Sequence, residues 1–148
     1  MRGMIAMSTD ENKALVKRFF AQGPSQGDLK AADELLADDF TLHVPLPCSP
    51  GVPGMNEVIT ACRAAFEHLD VTVEDMVADG EMVAARFTAR GIHKGNFMGL
   101  PATGKSITMT GIEIFRIENG RIAELWGEAN LLGLMQQLGI LPPLGEQG

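Results

Sequence analysis

Glu113, Glu128 and Asn130 stand close together near the end of the chain, among apolar residues, and His43 and His93 lie upstream. These side chains can move or orient protons. A carboxylate on an apolar face has its charged form disfavoured, so its pKa rises toward values useful for general acid/base work. Glu113 is the sharpest candidate on that ground. Glu128 follows two residues before Asn130 and offers a second carboxylate. The Asn130 amide can orient a carbonyl, or it can cap the segment that follows it. His43 ends a short apolar stretch just before a proline-rich segment, and histidine titrates near neutrality. His68, at the end of a helical pattern, has no evident chemical role. The three histidines show no HxH or HxxxH spacing, so no metal site is expected. GxSxG, P-loop, GxGxxG and paired-cysteine motifs are absent. With no tyrosine in the chain, chemistry that relies on a phenolic hydroxyl is excluded.

These residues need a scaffold, and the periodicity supplies one. Ser8 and Glu11 form a capping box that opens a helix with Leu15, Val16, Phe19 and Phe20 on one stripe. Gly23 to Gly27 breaks it. Asp28 caps a second helix carrying Leu29, Ala32, Leu35 and Leu36. A short strand is expected over 40–44, a loop over 45–54, and a third amphipathic helix from Met55 to Leu69. The period then changes to that of strands: 71–78, 81–93, 106–117 and 121–130, with turns at Asp79-Gly80 and Asn119-Gly120. A short apolar helix over 131–138 closes the pattern. Helices first and hairpin-linked strands second give an α+β class, an antiparallel sheet curved over helices around an apolar pocket. One domain over 11–141 is expected, with a flexible N-terminus over 1–10 and a tail over 142–148. Met1, Met4 and Met7 leave the start of translation open.

A two-residue turn at Asn119-Gly120 pairs Glu118 with Arg121. Counting outward from there sets Glu113 opposite Trp126, Gly111 opposite Glu128, and Met109 opposite Asn130, all on one face with Ile107, Phe115, Ile117 and Ile122. That face is expected to line the pocket, with Trp126, Met109 and Phe115 as ligand contacts and Gly111 leaving space opposite Glu128. His93 is expected to look into the same cavity. Phe97, in a glycine-flanked loop, is expected to form part of a lid.

Composition narrows the partners. A net charge of −7 disfavours nucleic acid and anionic lipid surfaces. No stretch is long and apolar enough to span a membrane. Cys48 and Cys62 lack a pairing pattern and read as free thiols of a cytoplasmic protein.

The run Gly111–Trp126, continued by Gly127–Gly139, resembles the C-terminal signature of the SnoaL-like polyketide cyclases. Asn12–Phe20 and Pro101–Lys105 are similar to that family as well. The resemblance implies the nuclear transport factor 2-like fold, a cone-shaped α+β barrel with a deep pocket. It also implies a homodimer through the open sheet face, where Thr108, Thr110, Ile112, Ile114 and Leu125 are expected. The activity it implies is cofactor-independent ring closure or isomerisation of a hydrophobic carbonyl compound. Founding members carry a catalytic acid four positions after the signature tryptophan, and that position here is Asn130. The alternatives are a non-enzymatic small-molecule-binding protein of the same fold and an epoxide-opening enzyme.

Overall fold

The computed structural model describes residues 7–142 and Gly145. The helix α1, Thr9–Phe20, begins with the expected capping box: Ser8 accepts from the Glu11 amide, and the Glu11 carboxylate accepts from the Ser8 amide. It therefore starts inside the stretch read as a flexible N-terminus. Most of that stretch, like most of the tail, lies outside the described residues. The chain continues through one π-helical turn, Ala21–Ser25, into α2, Leu29–Glu34, capped by Asp28. The strand β1 is Leu36–His43, longer than expected.

The helix α3 spans Gly51–Ala65 and so begins inside the expected loop. Pro53 is tolerated there because amides of a first helical turn have no partner within the helix. The chain then turns directly into β2, Phe66–Asp79, so His68 lies in a strand and not at a helix end. His68 sits at a register irregularity between Glu67 and Asp70, with φ of 56°. Next come β3, Met82–His93, β4, Ser106–Glu118, and β5, Arg121–Ala129. A final helix, α4, covers Leu131–Gln137.

The five strands form one sheet in the order β1-β5-β4-β3-β2. The sheet is mixed, because β1 joins the β5 edge in parallel. The other neighbours are antiparallel. The helices cover its inner face. Val16, Phe19 and Phe20 from α1 and Ile59 from α3 are buried there against Phe87, Phe115 and Leu125. Four phenylalanines, Phe19, Phe20, Phe87 and Phe115, meet at centroid distances of 5.6 to 6.2 Å, mostly edge to face.

One irregularity decides which side chains reach the pocket. Glu118 pairs with Arg121 as the turn requires, and Ile117 pairs with Ile122. Ala123 is then left over as a bulge, and pairing resumes with Arg116 opposite Glu124. One extra residue turns every later side chain to the other face. Glu113 is thus opposite Gly127, and Trp126 is opposite Ile114. Leu125, Gly127 and Ala129 point inward, while Glu124, Trp126 and Glu128 share the outer face with Ile112 and Ile114. The expectation that Trp126 and Glu128 face the pocket, and Leu125 the open surface, is corrected by this single residue.

Candidate functional site

Between α3 and the inner sheet face lies an apolar cavity of about 120 Å³. Its sheet wall is formed by Phe87, Ala89, Ile107, Met109, Glu113 and Gly127. Its helical wall includes Met55, Ile59 and Cys62, and Val44 to Leu46 close one rim. On α3 the spacing of Met55, Ile59 and Cys62 places them on one stripe, which is why one helix contributes a continuous wall.

Glu113 brings a carboxyl into this apolar setting. As a residue it is half-buried because it borders the cavity, but the carboxyl itself lies at depth within the protein. It makes no hydrogen bond to any described residue. Burial without a compensating charge pushes its pKa up to about 8. Gly127 makes the space for it: a Cβ there would stand 3.2 Å from Glu113 Oε2 and 3.1 Å from Val44 Cγ1. Gly111 serves a different neighbour. A Cβ at that position would lie 2.5 Å from the end of the Phe87 ring, so the space expected opposite Glu128 is filled by Phe87.

Of the other residues picked from sequence, Met109 and Phe97 border the cavity. Phe97 is buried and packs on Phe66 at 5.1 Å, within a loop pinned by two backbone hydrogen bonds between Phe97 and Leu100. Phe115 is wholly buried in the aromatic cluster and does not border the cavity. His93 is fully buried but does not reach the cavity wall. Its Nδ1 accepts from the Thr103 amide at 3.2 Å, its Nε2 has no described partner, and its ring packs on Phe66. It ties the base of the 94–105 loop to β3.

Asn130 is the N-cap of α4, its Oδ1 accepting from the Gly133 amide at 2.9 Å, and it is exposed and outside the cavity. Glu128 borders the cavity rim as a residue but is exposed, on the strand face opposite to Glu113. His43 is on the outer face. It stacks on Trp126 at 5.3 Å and 11°, and its Nε2 lies 2.7 Å from Glu124 Oε2. That hydrogen bond, with help from Arg116, holds the Glu124 carboxyl below its ordinary value. His43, Trp126 and Glu124 therefore form a surface group apart from the pocket.

The residue that sequence reasoning missed is Cys62. It borders the cavity, and burial together with the nearby Glu113 charge pushes its thiol up to about 11. Its helical spacing with Met55 and Ile59 was a readable signal. Both cysteines are free thiols.

The arrangement is one proton-holding carboxyl and one thiol inside an apolar chamber. Among the described residues no helix is long and apolar enough to cross a membrane.

The comparisons with known proteins fit this architecture. The chain is 36% identical over 61 residues to the aklanonic acid methyl ester cyclases DnrD of Streptomyces peucetius and DauD of Streptomyces sp. (strain C5), a stretch that is 41% of this chain. That match spans only 42% and 38% of those two relatives. The structure of TsrD from Streptomyces laurentii superimposes with a TM-score of 0.83 at 32% identity, covering 91% of this chain and 99% of TsrD. Wild-type IdmH from Streptomyces antibioticus gives 0.76 at 32% identity, over 86% and 98% of the two chains. Residues 14–138 match the SnoaL-like polyketide cyclase family, and the chain belongs to it.

Proposed function

We propose that this protein is a cofactor-independent cyclase or isomerase that acts on a neutral, hydrophobic, polyketide-like carbonyl compound through Glu113. The observation that carries the reading is a carboxyl deep in an apolar cavity, without a hydrogen-bond partner among the described residues. In its ionised form Glu113 removes a proton next to a carbonyl; in its protonated form it returns one to the product. Among the described residues no cationic side chain borders the cavity, which supports an uncharged ligand. The family and the names of the relatives support ring closure of a polyketide ester. Free thiols support a cytoplasmic setting.

The test is deuterium exchange at the α-carbon of hydrophobic β-ketoesters, followed by a search for cyclised product. Glu113→Gln is expected to lower exchange by about a hundredfold or more, the usual range for a general base. Because the base form is the ionised one, the wild-type rate should rise with pH and level off above about 8. Exchange by Glu113→Gln at the wild-type rate would remove Glu113 from the chemistry. Ligand capture with no turnover of any ketoester or epoxide would favour the purely binding reading.

For assembly, the proposed partner is a second copy meeting the outer sheet face. The corrected face puts Val77, Ala84, Ile114 and Trp126 in one register row across the sheet, with Ile112 52% exposed beside them. Arg86 and Arg116 share that face with Asp75, Glu124 and Glu128, so a copy related by a two-fold axis can match opposite charges. Sedimentation equilibrium is expected to show a dimer at micromolar concentration, and Ile114→Glu a monomer. A monomeric wild type would contradict this assembly.

A further inference from the structure

We propose that Cys62 is the second substrate-contacting group of this site, donating its S–H to the carbonyl oxygen of the substrate while Glu113 handles the α-proton. This rests on the Glu113 reading above and adds the group that holds the oxygen. The geometry is that of one chamber with two walls. Glu113 comes from the sheet wall and Cys62 from the α3 wall, with apolar side chains around them. Neither the Glu113 carboxyl nor the Cys62 thiol has a hydrogen-bond partner among the described residues. A carbonyl compound in the chamber would meet a proton acceptor on one side and a proton donor on the other.

The chemistry needs such a donor. When the Glu113 carboxylate takes the α-proton, an O–H bond forms on Glu113 and the C–H electron pair moves into the carbonyl. Negative charge then develops on the substrate oxygen. In an apolar chamber that charge is costly unless a donor faces it. The thiol hydrogen bonds to this oxygen without being transferred. The enolate carbon then bonds to a second carbonyl carbon of the same molecule, and the oxygen of that carbonyl takes the proton back from Glu113. Atoms and charge balance with no added oxidant or metal. A thiol held up at about 11 keeps its proton throughout neutral pH, so it serves as donor and not as a thiolate nucleophile.

Two variants separate the donor from mere packing. Cys62→Ala removes the donor, whereas Cys62→Ser keeps one of similar reach. Cys48 does not border the cavity, and Cys48→Ser provides the control. With a β-ketoester that the wild type exchanges, Cys62→Ala is expected to lose about tenfold or more in kcat with KM changed less than about twofold. An interaction used mainly in the transition state gives that split. Cys62→Ser should recover most of the rate. In parallel, the infrared S–H stretch of Cys62 should shift on binding a carbonyl ligand and stay in place with the matching hydrocarbon. If Glu113→Gln is inactive while Cys62→Ala keeps full rate, the Cys62 proposal is overturned and the Glu113 reading stands. Equal slowing by Ala and Ser, or an S–H band unmoved by the carbonyl ligand, overturns it as well. Full exchange by Glu113→Gln instead removes the reading on which it rests.

Discussion

The Glu113→Gln variant is expected to lose the pH dependence of stability that this one carboxyl imposes on the wild type. The folded chain holds the Glu113 proton up to about 8, against an ordinary value of 4.5. Below pH 4.5 the group is protonated in both folded and unfolded states and costs nothing. As pH rises from there, the unfolded chain releases the proton while the folded chain keeps it, so folding is progressively penalised. Above pH 8 both states are ionised and the penalty is complete, roughly 4–5 kcal/mol at most. Glutamine cannot ionise, so it feels none of this. Its amide is as lonely in the pocket as the carboxyl, which adds a cost that is the same at every pH. The informative quantity is therefore the difference between the two proteins in urea unfolding, followed from pH 5 to pH 9. That difference should move in favour of Glu113→Gln by a few kcal/mol across the window. The substitution expected to slow proton exchange should thus make the alkaline protein more robust, which is a common tension between a site and its fold.

A second large effect is expected at Leu125. It is fully buried, and it faces inward only because Ala123 is bulged out of the β4–β5 ladder. Leu125→Ala should destabilise by about 2–5 kcal/mol, the range for emptying a large aliphatic site in a packed core. Trp126→Ala, one residue later, removes more atoms but from the outer face, where the ring stacks on His43. Its cost to chain stability should be smaller, with the loss appearing in dimerisation. Thermal unfolding of both variants at low concentration checks the order. With the unbulged register the order would reverse, because Trp126 would then be the inward residue.

That comparison marks where the sequence was legible. The helix starts at Ser8 and Asp28, the turns at Gly80 and Gly120, and the change of period after α3 were all written in local residue chemistry. So was the inward face of β4, because Ile107, Met109, Glu113 and Phe115 alternate without interruption. The face of β5 was not legible. Ile122 and Ala123 are both apolar and both buried, and nothing in their types says which one pairs and which one bulges. Register counted from the turn was right for two residues and wrong after that. Trp126 and Asn130 lie outside the pocket for that reason, and Glu128 reaches only its rim. The extra length of β1 and β2 was hidden for another reason. Leu36 to Phe40 and Phe66 to Leu69 fit helical spacing on their own, and only pairing with β5 and β3 makes them strands. A lone thiol on an amphipathic helix reads as ordinary core, so the sequence does not single out Cys62.

The proposed chemistry depends most directly on the ionisation of Glu113. Carbon-13 NMR of the side-chain carboxyls, with the Glu113 signal assigned by its absence in Glu113→Gln, measures this without any substrate. The expected result is a midpoint near 8, well apart from the surface glutamates. A midpoint near 4.5 would place the carboxyl in water, and would contradict a pocket that keeps a proton for transfer.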